Sequence, residues 1–183
     1  MTTPIIESQR ILLRPLSVED AETIFRNWTS DEEVAKYMRW DLHEKVEETK
    51  EWLKMEEENI LREDNYTWGF VLKETNELIG SGGIFFNDTH GCFELGYNIM
   101  KKYWGKGLVT EASREILKFG ERGLNIKKFF SAHAIENIGS KRVIEKLGFK
   151  YLKDGEYESF SGKKKYVTRD YILEVWLKVK LSE

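Results

Sequence analysis

Apolar residues recur along the chain with two different periods. The segment Arg10 to Leu16 places Ile11, Leu12 and Leu13 together, a short strand signal. Ser17 follows as a candidate N-cap, with Asp20 standing where a capping box carries Glu or Gln. Ala21, Ile24, Phe25 and Trp28 then fall at helical spacing. From Glu44 to Arg62, Val46, Leu53 and Ile60 recur at sevens among Glu and Lys, with Trp52 and Met55 beside them. That pattern predicts an amphipathic helix with a solvated outer face.

The period then drops to two. Trp68, Phe70 and Leu72 alternate, Glu74-Thr75-Asn76 reads as a turn, and Leu78 to Phe86 reads as a second strand. Asn87 to Gly91 turns again before a third strand, Cys92 to Met100. Three strands on short turns predict an antiparallel meander. Helical spacing returns at Leu108, Ala112, Ile116 and Phe119, with a stop signal at Gly120 to Gly123. Lys128 to Ile135 is a strand, and Asn137 to Leu147 is a helix with Gly148 at its C-cap. Tyr151 to Phe160 and Tyr166 to Val179 are two long strands around a Ser161-Gly162 turn. The order predicts a mixed α/β (α+β) fold rather than a regular doubly wound sheet.

Composition bounds the function. A length of 183 residues suits one domain, 1–183. The net charge of −3 is not the basic footprint of a nucleic-acid binder. The single cysteine, Cys92, leaves no internal disulfide. His43, His90 and His133 lack metal-ligand spacing, so no metal is expected. No apolar run approaches the roughly 20 residues of a membrane span. Met1 to Arg10 carries no signal-peptide core. The expectation is a soluble, cytoplasmic protein that binds neither nucleic acid nor membrane.

The most informative segment is Trp104-Gly105-Lys106-Gly107-Leu108-Val109-Thr110, between a strand and a helix. The first turn of a helix has unpaired N–H groups and a partial positive charge. Glycines there let the backbone approach an anion, so a phosphate or pyrophosphate fits. The spacing matches neither a P-loop nor Gly-x-Gly-x-x-Gly. A glycine-rich turn without ligand remains the plain alternative.

Glu94 to Ala112 resembles the coenzyme-A motif of the GCN5-related N-acetyltransferase (GNAT) superfamily, Gln/Arg-x-x-Gly-x-Gly/Ala. Lys102 occupies the Gln/Arg place, while Gly105 and Gly107 match the glycines. Glu136 to Phe149 resembles the superfamily's later motif, which ends in a Leu-Gly-Phe-like run. The RILLRPL start and the Glu-Leu-Gly-Tyr and Tyr-Trp-Gly-Lys-Gly wording are closer to the Rim-type subgroup, which includes acetyltransferases of ribosomal-protein N-termini.

The resemblance implies a mostly antiparallel sheet of about seven strands with helices on both faces. Two parallel strands, Phe93 to Met100 and Phe129 to Ile135, would splay around the thioester of acetyl-CoA. It implies that the cofactor arm pairs near Asn98, Ile99 and Met100, and that the pyrophosphate sits on Trp104 to Thr110. Asn137 matches the Asn that contacts the arm; it also suits a plain helix N-cap. The implied reaction is direct acetyl transfer to a primary amine, a protein N-terminus or a small molecule, in a ternary complex. Such attack needs a base for the amine, an N–H donor for the developing oxyanion and a proton for the thiolate.

The superfamily's usual tyrosine acid falls at Ile144, so Ser140 stands in as the candidate donor. Glu94 and Glu158 compete as base, with His133 a third candidate; surface pairing with a Lys is the plain alternative for either Glu. Cys92 reads as a buried or turn-edge thiol rather than a nucleophile. Tyr37 and Trp40, in an irregular connection, are the candidates for lining the acceptor pocket. The resemblance also allows a homodimer. Two other readings stay open: a catalytically weak acyl-CoA-binding or regulatory module, and a nucleotide-binding domain using the same glycine turn.

Overall fold

The computed structural model describes residues 2–175. Its sheet has eight strands, one more than the sequence suggests, in the order β1-β2-β3-β4-β5-β6-β8-β7. They are β1 (Ile6–Glu7), β2 (Ile11–Arg14), β3 (Asn65–Leu72), β4 (Glu77–Asn87), β5 (Cys92–Ile99), β6 (Lys128–Ala134), β7 (Lys150–Glu158) and β8 (Lys165–Glu174). The added strand, β1, is two residues long, too short for any period to show. The expected run of the last strand to Val179 extends beyond the described residues. The β3–β4–β5 meander is present, and every neighbouring pair is antiparallel except β5–β6.

Helices cover both faces. On one face, α4 (Leu108–Gly123) and α5 (Ile138–Lys146) bury Leu108, Ala112, Ile116 and Ile144 against Phe129, Leu95 and Ile84. On the other, α1 (Ala21–Ile24), α2 (Glu32–Ala35) and α3 (Val46–Asn59) bury Ile24, Val34 and Leu53 against Val71 and Leu78. A π-type turn, Phe25–Thr29, continues α1 and puts Trp28 into this second core. Met55 of α3 instead faces solvent, 55% exposed. Its position on the helix lies outside the buried stripe through Thr49 and Leu53.

α4 ends at Gly123, within the Gly120 to Gly123 stretch read as its stop, and Gly120 itself is helical. A Cβ at Gly120 would stand 2.8 Å from the Phe129 ring, so the glycine is there to let β6 pack close. Among the described residues no helix is long and apolar enough to cross a membrane.

Candidate active site

The parallel pair β5–β6 is joined only at Phe93 with Phe129 and Glu94 with Phe130. Beyond that point the strands part. The Ser131 hydroxyl donates to the Leu95 carbonyl at 3.1 Å where the gap begins. On its other side β5 stays paired to β4 up to Ile99 with Gly80.

Backbone groups of alternate residues point the same way along a strand. The Met100 N–H donates to the Ile79 carbonyl at 2.8 Å, so Met100 and Asn98 turn towards β4. Tyr97 and Ile99 turn their backbone groups into the gap. This corrects the expectation that Asn98 and Met100 offer freed backbone groups alongside Ile99. The Ile99 carbonyl already accepts from the Trp104 indole at 3.0 Å, which leaves its N–H facing the gap. The Asn98 side chain donates to the Ser81 hydroxyl at 2.8 Å.

The gap leads to the N-terminus of α4. Gly105 and Gly107 have φ of +74° and +75°, a region other residues adopt only under strain. A Cβ at Gly105 would meet nothing within 4 Å, and one at Gly107 only the Arg10 Nη2 at 3.8 Å. The turn is therefore an open concavity of backbone, and Gly107 as N-cap brings no capping side chain. The side chains of Leu108, Val109 and Thr110 are buried, so what they present is N–H. These features fit a pyrophosphate.

Two of the three lysines near this turn lie beside carboxylates. Lys102 pairs with Glu77 at 2.7 Å, and the Tyr103 hydroxyl donates to the other Glu77 oxygen. Lys101 lies 3.7 Å from Glu33. Lys106 sits over the Tyr103 ring, 4.9 Å from its centroid. Arg10, which the sequence did not single out, donates from Nη1 to the Lys106 carbonyl at 3.2 Å and fixes the turn.

Across the gap stands the start of α5. Asn137 caps it, its Oδ1 accepting from the Ser140 N–H at 3.1 Å. The Ser140 hydroxyl lies 2.9 Å from the Tyr97 hydroxyl, which also donates to the Ser140 carbonyl at 3.2 Å. Burial pushes the Tyr97 phenol far above its ordinary value, so it stays protonated. Ile144 is fully buried in the core.

The opposite face of the sheet holds a cavity of about 500 Å³. Glu94, Phe130 and Ala132 form its floor beside the gap, and Asp170 lies opposite Ala132 in register. Burial pushes the Glu94 carboxyl up, against the pull of an Asn87 amide donating at 2.5 Å. Asp170 is 5% exposed and accepts from the Thr168 hydroxyl at 2.9 Å. Its carboxylate lies over Gly155, where a Cβ would come within 2.5 Å of Oδ2. His90 stacks on Phe130 with centroids 3.6 Å apart, and burial lowers its imidazole below the ordinary value.

Glu158 also reaches this cavity, but its carboxylate pairs with Lys165 at 2.6 Å. Tyr37 and Trp40 do not line it; Arg39 between them does. Their main chains have another task. The Tyr37 carbonyl accepts from the Tyr157 hydroxyl at 2.6 Å, and the Trp40 carbonyl from Lys164 at 3.0 Å. His133 is buried on the other face, its Nδ1 against the Ala134 carbonyl at 2.7 Å. Cys92 is buried, and burial raises its thiol.

Arg39, His90, Tyr97 and Asp170 were missed in the sequence. Only Asp170 left a signal there, as a charge within an otherwise strand-like run. The others depend on cross-strand and loop–sheet contacts.

A family model described as an acetyltransferase (GNAT) domain matches residues 10–150. The uncharacterised N-acetyltransferase p20 of Bacillus licheniformis is 29% identical over 160 residues, 85% of this chain and 88% of that one. The ribosomal protein uS5-alanine N-acetyltransferase of Escherichia coli is 30% identical over 95 residues, 49% of this chain and 48% of that one. The structure of the ribosomal-protein-S5-alanine acetyltransferase of Vibrio fischeri superposes with a TM-score of 0.79 at 17% identity, over 93% of this chain and 96% of that one. With the parted β5–β6 pair and the glycine turn already in place, the match assigns the chain: it belongs to the GNAT acetyltransferases and is an acetyl-CoA-dependent N-acetyltransferase.

Proposed function

We propose that this enzyme transfers an acetyl group from acetyl-CoA, within the gap between β5 and β6, to a primary amine of a protein N-terminus or a small molecule. The reaction is direct attack in a ternary complex in the cytoplasm. The observation that carries the reading is that one gap opens on two sites. It leads to a backbone concavity at Gly105 and Gly107 and, through the sheet, to a cavity with a raised carboxyl at Glu94.

Acetyl-CoA supplies the activated carbonyl and the thiolate leaving group. The chain supplies the rest. The N–H groups from Gly105 to Thr110, with Lys106 and Arg10, hold the pyrophosphate. Trp104 holds the turn against Ile99, and the Asn137 amide contacts the cofactor arm. The Ile99 N–H faces the gap and stabilises the developing oxyanion. Glu94 takes the amine proton, and its raised carboxyl brings its basicity closer to neutral pH. Glu158, already occupied by Lys165, is the weaker candidate for that role. Ser140, aligned by Tyr97, gives a proton to the thiolate.

Gly107→Glu tests the cradle, because it strains φ +75° and puts a carboxylate where the pyrophosphate lies. Calorimetry should show acetyl-CoA affinity falling at least about tenfold, a loss of about 1.4 kcal/mol, with circular dichroism unchanged. Unchanged affinity would remove the cradle from the reading.

A further inference from the structure

The cavity contains charges of both signs, and among the described residues its two cations are not ion-paired. Glu94 and Asp170 lie on the floor beside the gap. Arg39 and Lys153 lie in the wall. Among the described residues neither cation has a carboxylate within 4 Å, although four acidic side chains share the cavity. Asp170 is buried and Glu94 largely buried on the floor, while Arg39 is half-buried and Lys153 exposed at the rim, so the cations stay available to a ligand.

Arg39 is held in place by other means. Its guanidinium lies 5.3 Å from the Phe160 ring centroid and 6.0 Å from that of Tyr157. Its carbonyl accepts from the Phe160 N–H at 2.7 Å. The loop around it is sewn to the β7–β8 hairpin. Lys164 donates to the carbonyls of Ala35 and Trp40 at 3.1 and 3.0 Å, Tyr157 to Tyr37, and Tyr166 to Lys36. A guanidinium fixed by rings and carbonyls, with its charge uncommitted, is pre-organised for an anion.

The floor is equally specific. Asp170 keeps its buried carboxylate only because residue 155 is glycine. It stands across Ala132 from the gap, while Glu94 stands at the last joined pair, so the two flank the route an amine must take. The volume is that of a small-molecule site, and the strap from residue 35 to 40 walls off one end.

We propose that the acceptor is a small amine carrying an anionic group, an α-amino acid or a close analogue. Its amine lies between Glu94 and Asp170, and its carboxylate lies on Arg39 with Lys153 near. This rests on the acetyltransferase reading and narrows its acceptor. The ammonium gives one proton to Glu94, the free amine attacks the acetyl carbonyl, and the carbon–sulfur bond breaks. The product is the N-acetyl amino acid and the free thiol. The tetrahedral adduct loses its second N–H proton to solvent as the carbon–sulfur bond breaks; Ser140 passes a proton to the thiolate and regains one from solvent, and Glu94 releases its proton to solvent. The carboxylate takes no part in bond changes; it selects.

The test is acetylation, read as free thiol, of the common α-amino acids against their carboxamides, diamines and short peptides. At least one free amino acid should exceed its carboxamide about tenfold or more in kcat/KM. In Arg39→Gln, which removes the charge, that ratio should collapse towards one. The amino acid's kcat/KM should fall far more than the carboxamide's, whereas a merely structural role for Arg39 would lower both alike. Where no amine turns over, calorimetry on the coenzyme-A complex reads the same preference as binding. Equal use of acid and amide overturns the proposal, as does preference for diamines. Peptides that outperform every amino acid also overturn it, and they assign an open protein-substrate site instead. Failure to bind acetyl-CoA would remove the underlying reading, a separate and distinguishable result.

Discussion

Single residues here are set by what lies across the sheet from them. Glu94 has an ordinary strand position in sequence, but folding buries it at the point where β5 and β6 part. Burial disfavours the carboxylate, so the base form appears at higher pH than for a free Glu. The rate should therefore rise with pH through that raised value. In Glu94→Gln the rise should vanish and kcat/KM should fall about 10²–10⁴-fold, as a pH–rate profile would show. The linked stability effect has the opposite sense. A carboxyl raised in the folded state binds its proton more tightly there, so it costs stability as pH rises past the unfolded value. The amide variant should thus unfold at no lower temperature near neutrality, which separates lost chemistry from lost fold. Ser140 and Tyr97 make the same point. Forty-three positions apart, their hydroxyls meet at 2.9 Å, and neither sequence neighbourhood announces the pair.

Elements are positioned by close approaches that only small residues permit. Gly120 lies in the last turn of α4, just before the stop at Gly123. Its place is set by Phe129, whose ring would lie 2.8 Å from an added Cβ. Gly120→Val should overpack this contact and cost about 1–3 kcal/mol, lowering the midpoint of thermal unfolding by several degrees. A midpoint within one degree of the parent would mean that β6 yields freely. Because Phe129 also forms one of the two joined β5–β6 pairs, the variant should weaken acetyl-CoA binding as well. The periodic elements were legible: the meander, α3, α4 and α5 all form, and α4 buries Leu108, Ala112 and Ile116 as its spacing predicts. The short ones were not. β1 has two residues and α2 four, below the length at which a period of 2 or 3.6 can be seen.

At the scale of the molecule, the N-terminal strands are tied to the cradle by one carboxylate. Glu111, in the first turn of α4, accepts from the Ser8 hydroxyl and the Arg10 N–H at 2.7 Å each, and pairs with the Arg10 Nε at 2.7 Å. Burial alone would raise its carboxyl, but these donors outweigh it and hold it below its ordinary value. A carboxyl lowered by folding adds stability above its unfolded value and loses it as pH falls through the folded one. Glu111→Gln should therefore be less stable than the parent near pH 7. The gap should close as the solution is acidified below the ordinary Glu value, measured by urea unfolding across pH. A gap independent of pH would mean that packing, not charge, makes the tie.

What the sequence determined by itself was local and periodic. It specified the helices long enough to show a stripe, the strands joined by short turns, and a glycine turn suited to an anion at a helix start. Those follow from spacing and φ, which neighbours along the chain control. The tertiary structure alone decided that β8 and not β7 lies beside β6, and that β5 and β6 part after Glu94. It also decided that Asp170 sits over Gly155 and that Arg39 stands uncommitted in a cavity wall. Each of these depends on residues far apart in sequence meeting across a sheet. Register and burial, which set them, have no period to read.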